Sequence, residues 1–500
     1  MKITFGYESW AIKNDNKKVP VEWNSKTAVN PHMVLIGMSG AGKTYNLKKM
    51  VAQMCNSYDY HHQLRVHVFD VHGDIELEGA STVFFSEQTR YGLNPLEVNP
   101  DPDFGGVRKR VQSFMSTMNK VMHSMGSKQE STLRNLLIDL YARHGFVQDD
   151  PKTWKAEPVP ELLTSPEHAD RVYLDVPFED KSDANRLGAQ WDGIPGIKAW
   201  WIPEKEYTGG ITRWPPKSLR RANPTTSDLV RFSRHVLLKS FLGTSQDAVT
   251  KLEAVNKIAR TITKRGIDLQ KTANLGSYDE KILSDFDKAK DEALDRYKSY
   301  LDSLSTGMEL EDIIKYSSTD VLKSVLERIQ NIEAMGVFKP ETPPFDTSNP
   351  VWRYNIKALG LEERRLFVLF KLEEIFMRAV ERGEQSDVCE VIVLDEAKIY
   401  LDSDPDNILN KIANEARKFG LALIAAGQTP VHFTADFIAA TATKVVLGVD
   451  ESYWKQSSNL MRIDEKQLKW IKPKRTMMVQ IKASGMTATK WEYVCLPQTI

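Results

Sequence analysis

Cysteine is scarce in this chain. There are three in 500 residues, Cys55, Cys389 and Cys495, and no two stand at a metal-ligand spacing. That pattern gives neither a disulfide framework nor a zinc site, and fits small core residues in a reduced compartment. Long apolar runs are also missing. None approaches the roughly 20 residues that span a bilayer, so no membrane insertion is expected and a membrane role would need a partner. The N-terminus, Met1-Lys-Ile-Thr-Phe-Gly6, lacks the basic-then-apolar pattern of a signal peptide, and a cytoplasmic location is expected. Net charge is zero, with 67 basic and 67 acidic residues, so the chain as a whole has no attraction for polyanions. Any nucleic-acid contact must then rest on local patches. No long internal repeat or low-complexity tract is present.

What remains is the composition of an ordinary globular protein, 41% hydrophobic and 27% charged. Its length implies two or more domains, or one large core with insertions. The most informative stretch is Gly37-Met-Ser39-Gly40-Ala41-Gly42-Lys43-Thr44. It follows the apolar run Met33–Ile36 and precedes a helical pattern over Tyr45–Met54. Strand, glycine loop and helix together make a P-loop in its proper context. Backbone N–H groups of such a loop wrap phosphates, and its glycines allow the close approach. Lys43 is placed to reach the β- and γ-phosphates of ATP, and Thr44 to hold Mg2+ through its hydroxyl. The positive end of the following helix adds to the attraction.

Further buried strands are expected at Leu64–Phe69, Thr82–Phe85, Arg353–Leu359, Val391–Leu394, Leu421–Ala426, Lys444–Val449 and Met477–Ile481. Helical patterns lie between them, at Gly106–Ser124, Glu130–His144, Glu362–Arg382 and Ile408–Phe419. This alternation implies an α/β fold with a mainly parallel sheet. Val19–Trp23 reads as packing on the sheet edge or on a nucleotide base. Two segments interrupt the pattern. After a Pro- and acid-rich linker at 148–168, a compact stretch reads as strand (Val172–Phe178), short helix (Asp183–Trp191) and strand (Ala199–Pro203). Its Trp191, Trp200 and Trp201 either fill a small core or form a stacking platform for single-stranded nucleic acid or another partner. From Asp228 to about Met335 the pattern is helical, with an amphipathic stretch at Leu283–Leu304. The expected organisation is an N-terminal half of the core at 1–146, a Trp-rich module at 165–218, a helical insertion at 225–338 and a C-terminal half of the core at 350–500.

Asp395-Glu396 directly follows the apolar run Val391–Leu394, which is a Walker B arrangement. Asp395 is expected to bind Mg2+ through water, and Glu396 to polarise the attacking water. Gln428 ends the next strand and can contact the γ-phosphate or that water. Arg417 ends the preceding helix. It reads either as an arginine finger for a neighbouring subunit or as a cation at the negative end of a helix dipole. Asp70, His72 and Asp74 follow the strand Leu64–Phe69 and either face the same edge or form a polar turn. Arg108, Lys109 and Arg110 either line a DNA channel or form a solvated helix face.

Taken together, the P-loop, the Asp70-Val-His-Gly-Asp74 turn, Asp395-Glu396, Glu415-Ala-Arg-Lys-Phe-Gly-Leu421 and the strand ending at Gln428 resemble the HerA/FtsK superfamily, and most closely its HerA branch. The resemblance covers about residues 30–145 and 350–490. It implies a RecA-like ATPase that assembles as a ring, uses ATP and Mg2+, and pumps or unwinds double-stranded DNA. Within it, Lys43 and Thr44 match the family's P-loop residues, Asp395 and Glu396 its Walker B pair, Gln428 its strand-end glutamine and Arg417 its trans-acting arginine. The resemblance further implies a homo-oligomer, a hexamer in the family's usual form, working with a separate nuclease or effector in defence or DNA processing. Two departures stand out. The strand end reads Ala-Gly-Gln-Thr-Pro430 where many members have Ala-Thr-Gln-Arg-Pro, and only about 30 residues precede the P-loop, too few for the β-barrel that often opens HerA proteins. The Trp-rich module resembles a small domain fused to plasmid primases. Two other readings fit the same motifs: a conjugation or type IV secretion ATPase, and a nucleotide-gated scaffold that assembles an effector without translocating.

Overall fold

The computed structural model describes residues 1–57, 64–122, 124–158, 168, 170–194, 197–242, 251–252, 254–264, 280–302, 315–316, 318–402, 404, 407–485 and 489–497. Residues 159–167 of the linker expected over 148–168 lie outside them, as does Leu304 at the end of the amphipathic stretch. The described strands are β1 (Lys2–Glu8), β2 (Pro20–Asn24), β3 (Met33–Gly37), β4 (Arg65–Asp70), β5 (Ser81–Phe84), β6 (Arg171–Leu174), β7 (Gln190–Asp192), β8 (Ala199–Pro203), β9 (Val351–Asn355), β10 (Glu390–Leu394), β11 (Leu421–Gly427), β12 (Thr443–Gly448), β13 (Thr476–Ile481) and β14 (Glu492–Cys495). Two compact units result. One comprises 1–94, 120–122 and 335–500, and the other 95–119 and 123–334.

The first unit holds an 11-stranded sheet in the order β2-β1-β14-β13-β12-β3-β11-β10-β4-β9-β5. From β12 to β5 every pairing is parallel, and from β12 to β2 every pairing is antiparallel. The expected α/β fold with a mainly parallel sheet is therefore observed. β3, β10 and β11 are buried along their whole length, which is why they read as unbroken apolar runs. β2 lies at the sheet edge, one of the two places expected for Val19–Trp23, and Trp23 is buried beneath it. Because neighbouring strands run parallel, β3, β4, β10 and β11 all deliver their following loops to one edge. In α/β sheets that carboxyl edge is where ligands bind.

The opposite halves of β4 and β10 carry a buried polar network. The His67 ring nitrogens lie 3.0 Å from the Tyr354 hydroxyl and 2.8 Å from Glu390 Oε1. Arg382 Nη1, on the helix Leu361–Arg382, donates to Glu390 Oε2 at 2.9 Å. Burial alone would raise the Glu390 carboxyl. The His67 contact and the charges of Arg378 and Arg382 outweigh it and bring the carboxyl down to about 2.

The second unit contains the three-stranded antiparallel sheet β6-β8-β7. Val172, Leu174, Ala184, Ala189, Ile202, Ile211 and Trp214 form its small core, with Trp200 packed against them. The short helix is confined to Lys181–Arg186, and Trp191 instead stands on β7, edge-to-face with Trp200 at 5.6 Å and 53% exposed. Gly188, at φ +97°, ends the helix early. The helices Ser127–Arg143, Thr226–Leu242 and Thr319–Ala334 pack on one another. Residues 107–119 of the helix Val107–Val121, and the helix Ser127–Arg143, fall in this second unit, although the sequence grouped them with the first half of the core.

Removing one partner of a buried charge network strands the others. Glu390→Ala is expected to destabilise the first unit by about 3–5 kcal/mol. Urea unfolding should show the lowered midpoint, and an unchanged midpoint would mean the network carries no stability.

Candidate functional site

The P-loop is built by two glycines in backbone conformations that side chains resist. Gly40 and Gly42 have φ of +76° and +97°. The loop is anchored to the sheet by Met38 N–H, which donates to Gly448 O at 3.0 Å, and is closed by Ala41 N–H donating to Met38 O at 3.1 Å. Gly37, buried at the end of β3, has Lys43, Leu447 and Ala41 so close that an added Cβ would meet all three within 3.3 Å. Gly42 caps the helix Lys43–Asn56. Ser39 and Gly40 are exposed at the tip, Ala41 is buried, and Lys43 and Thr44 are half-buried. The Lys43 ammonium donates to Gly37 O at 2.8 Å, spanning the loop.

A group of carboxylates faces this loop. Asp70, Asp74 and Asp395 offer oxygens that all lie within 4.8 Å of one another. They differ in how they are satisfied. Asp70 is fully buried and its oxygens are occupied. It accepts from Gly73 N–H at 2.7 Å, from Ile75 N–H at 3.0 Å, and from Arg353 Nε and Nη2 at 2.9 and 2.6 Å. Asp74 is exposed and accepts from the Thr44 hydroxyl at 3.2 Å. Asp395 is 6% exposed, and among the described residues its Oδ1 accepts only from Glu396 N–H, at 3.1 Å. Burial raises its carboxyl to about 6. His72 works against the rise, and the charges of Glu396, Asp74 and Asp70 add to it. An ionised Asp395 therefore lacks compensation within the chain. Thr44, Asp74 and Asp395 form a set of hard oxygen donors beside a phosphate-type loop, which suits Mg2+. Asp70 is instead the structural anchor of the turn.

Glu396 stands in the left-handed region at φ +51°, ψ +50° and is 5% exposed. Gln428 Nε2 donates to its Oε1 at 3.0 Å, while Oε2 is buried without a hydrogen-bond partner. The structure thus brings Lys43, Thr44, Asp395, Glu396 and Gln428 to one edge, from strands β3, β10 and β11. It also brings His72 there. His72 Nε2 lies 4.0 Å from Asp395 Oδ2 and 3.9 Å from Glu396 Oε1.

Arg417 is not part of this assembly. It is exposed on the turn Ala416–Phe419 that leads into the start of β11, whereas Gln428 follows the end of that strand. The seven residues of β11 separate the two edges by ~20 Å. Arg417 instead lies near buried His32, whose pKa burial lowers to about 4 with help from the Arg417 charge. In the other unit, Arg108 pairs with Asp149 at 2.7 Å, Lys109 donates to Asp103 O, and Arg110 donates to Ser113 Oγ at 2.5 Å.

Sequence reasoning missed several polar groups beside Glu396. The Tyr400 hydroxyl and Thr429 Oγ1 are buried without hydrogen-bond partners, as is His432 Nδ1. The charges of Asp395 and Glu396 reach Tyr400, and that of Glu396 reaches His432. Position was the only available signal, since each follows a recognised motif by one to four residues. Arg353 had none, because its partner Asp70 is remote in sequence.

Comparison with known proteins bears on the family resemblance and the fold. Residues 11–102 match the family profile described as helicase HerA, central domain. The resemblance to HerA-type ATPases is thereby shown for the P-loop half. Residues 171–216 match a domain of unknown function, DUF5710. No curated protein sequence matches. Among solved structures, VirB4 of Thermoanaerobacter pseudethanolicus is 12% identical with a TM-score of 0.52, over 99% of this chain and 97% of that one. At that identity the likeness shows the fold alone. The plasmid coupling protein TrwB in complex with ADP and Mg2+ is 10% identical over 99% of this chain and 94% of its own, with a TM-score of 0.43. Among the described residues, no helix is long and apolar enough to cross a membrane.

The Asp395 carboxyl gives a testable pH dependence. Its raised pKa means that its contribution to stability is complete below pH ~4 and is lost as pH rises through about 6. Asp395→Asn cannot ionise. In chelator at pH 7 it is expected to be more stable than the parent by ~3 kcal/mol. Urea unfolding at both ends of the range should show that gap closing near pH 4, and a gap that does not vary with pH would contradict the assignment.

Proposed function

We propose that this chain is the ATP-hydrolysing subunit of a ring motor of the HerA type that translocates along or unwinds double-stranded DNA. The observation that carries the reading is the convergence of Lys43, Thr44, Asp395, Glu396 and Gln428 on one sheet edge, with Gln428 hydrogen-bonded to Glu396 at 3.0 Å. The HerA profile match over residues 11–102 supports it.

In this reading the loop from Gly37 to Gly42, with Ser39, Gly40 and Ala41, wraps the phosphates of ATP with backbone N–H groups. Lys43 leaves Gly37 O and engages the β- and γ-phosphates. Thr44 and Asp395, with Asp74 beside them, hold Mg2+. Bound Mg2+ supplies charge neutralisation at the phosphates. Glu396 accepts the proton of the water that attacks the γ-phosphorus, and ADP leaves on the opposite side. Gln428, which donates to Glu396 at 3.0 Å in the structure, also serves as a contact for the γ-phosphate and so reports nucleotide state. Arg417, at the far edge of its own sheet, serves the site of the next subunit. That arrangement requires a homo-oligomer, and a hexamer is the form proposed. DNA is gripped through its phosphates without reading sequence. Cleavage belongs to a separate nuclease or effector, in a cytoplasmic defence or DNA-processing system.

A conjugation or type IV secretion motor is a second reading, favoured by a fold that aligns with VirB4 end to end. The isolated protein distinguishes the two. The HerA-type reading expects ATP turnover that double-stranded DNA stimulates and salt suppresses; the second expects turnover indifferent to DNA, and co-purification with membrane channel components. The remaining alternative, a nucleotide-gated scaffold, expects a hydrolysis-dead ring to activate its effector normally.

Glu396→Gln should keep ATP affinity within about twofold and lose at least ~100-fold in turnover, the range expected for removing a positioned base. Phosphate release and equilibrium nucleotide titration measure the two quantities. Parent-level turnover in the variant would sink the catalytic assignment.

A further inference from the structure

Glu396 is held on one side only. Gln428 Nε2 donates to Oε1 at 3.0 Å, yet Oε2 is buried without a donor. A buried carboxylate oxygen left unpaired is costly, and in a native protein it calls for a reason. The backbone adds to the tension, since a non-glycine residue at φ +51° occupies a sparsely populated conformation. The side chain is therefore in an incompletely satisfied position with somewhere else to go.

The other side of Glu396 is formed by the turn after β4. His72 Nε2 lies 3.9 Å from Glu396 Oε1 and 4.0 Å from Asp395 Oδ2, beyond hydrogen-bond length to both. The two facing carboxylates favour the tautomer that carries its hydrogen on Nε2. The backbone beneath His72 is firmly set. Asp70 ties down Gly73 N–H and Ile75 N–H, and Arg353 grips both Asp70 and, at 2.9 Å, Gly73 O. The imidazole itself faces solvent, with its side chain 59% exposed. An exposed donor on a rigid mount thus stands within one small carboxylate rotation of the group that Gln428 now holds.

We propose that Glu396 is a two-position carboxylate shared between Gln428 and His72, and that His72 is the positioning residue for its hydrolytic position. When Glu396 turns from Gln428 to the His72 Nε2–H, the Gln428 amide is freed toward the γ-phosphate, and the unpaired carboxylate oxygen is presented to the attacking water. No bond is made or broken in the exchange. Nucleotide binding does not need His72, whereas turnover does. The inference rests on the reading of Glu396 as the general base.

The test compares steady-state kinetics of the full-length protein with Mg2+ and ATP for the parent, His72→Ala, His72→Gln and Glu396→Gln. His72→Ala is expected to lower kcat at least tenfold while KM and the affinity for a non-hydrolysable ATP analogue stay within twofold. Its unfolding midpoint should be unchanged, because the ring is exposed. His72→Gln, which places an amide N–H near the same position, should recover a third or more of the parent kcat. Parent-level kcat in His72→Ala, or no recovery in His72→Gln, overturns the proposal. If Glu396→Gln is inactive in the same assay, only the role of His72 has failed. If Glu396→Gln turns over like the parent, the underlying reading of Glu396 has failed instead.

Discussion

The buried ion pair between Arg353 and Asp70 sets the geometry on which the candidate site depends. Asp70 ends β4, and Arg353 lies on the neighbouring β9, so the pair crosses two strands from widely separated parts of the chain. Asp70 spends its oxygens on Arg353 and on the N–H groups of Gly73 and Ile75. The turn that results places His72 against Asp395 and Glu396, and Asp74 against Thr44. Arg353 thus neutralises one member of a crowded acidic group internally. Asp395 keeps its charge uncompensated by any such partner among the described residues, and burial, with the neighbouring carboxylates adding to it, raises its carboxyl to about 6. Structure and binding chemistry are divided between two aspartates that look alike in sequence.

Parallel pairing supplies the second constraint. β3, β11, β10 and β4 are consecutive neighbours in the sheet, so the P-loop, Gln428, Asp395-Glu396 and the His72 turn emerge side by side. Small residues near the end of β11 keep the packing close. An added Cβ at Gly427 would lie 2.7 Å from the Phe433 ring. The same topology explains why Arg417 cannot reach the candidate site of its own chain, since the segment that carries it enters β11 at the far end.

Much of this was legible in the sequence for physical reasons. Strands buried on both faces must be continuously apolar, so Met33–Ile36, Val391–Leu394 and Leu421–Ala426 announce themselves. Lys43, Thr44, Asp395, Glu396 and Gln428 sit where those runs end, which is where a parallel sheet binds ligands. The antiparallel flank was harder. β14 is four residues long, mixes charged and apolar side chains and is only partly buried, so no run marks it. Arg353 reads as one cation in a short strand, and nothing local marks its role. The distance from His72 to Glu396 is likewise a tertiary fact. Trp191 was misplaced on a helix because Gly188 ends that helix before the tryptophan is reached.

The central claim is that sequence-remote segments share one metal–nucleotide site. Backbone cleavage by hydroxyl radicals from Fe2+ substituted for Mg2+ tests it directly, since cleavage is confined to the metal's immediate surroundings. The account predicts ATP-dependent cuts near Thr44, Asp74 and Asp395 together, all abolished by excess Mg2+. Cuts confined to the P-loop, or cuts indifferent to ATP, would contradict it.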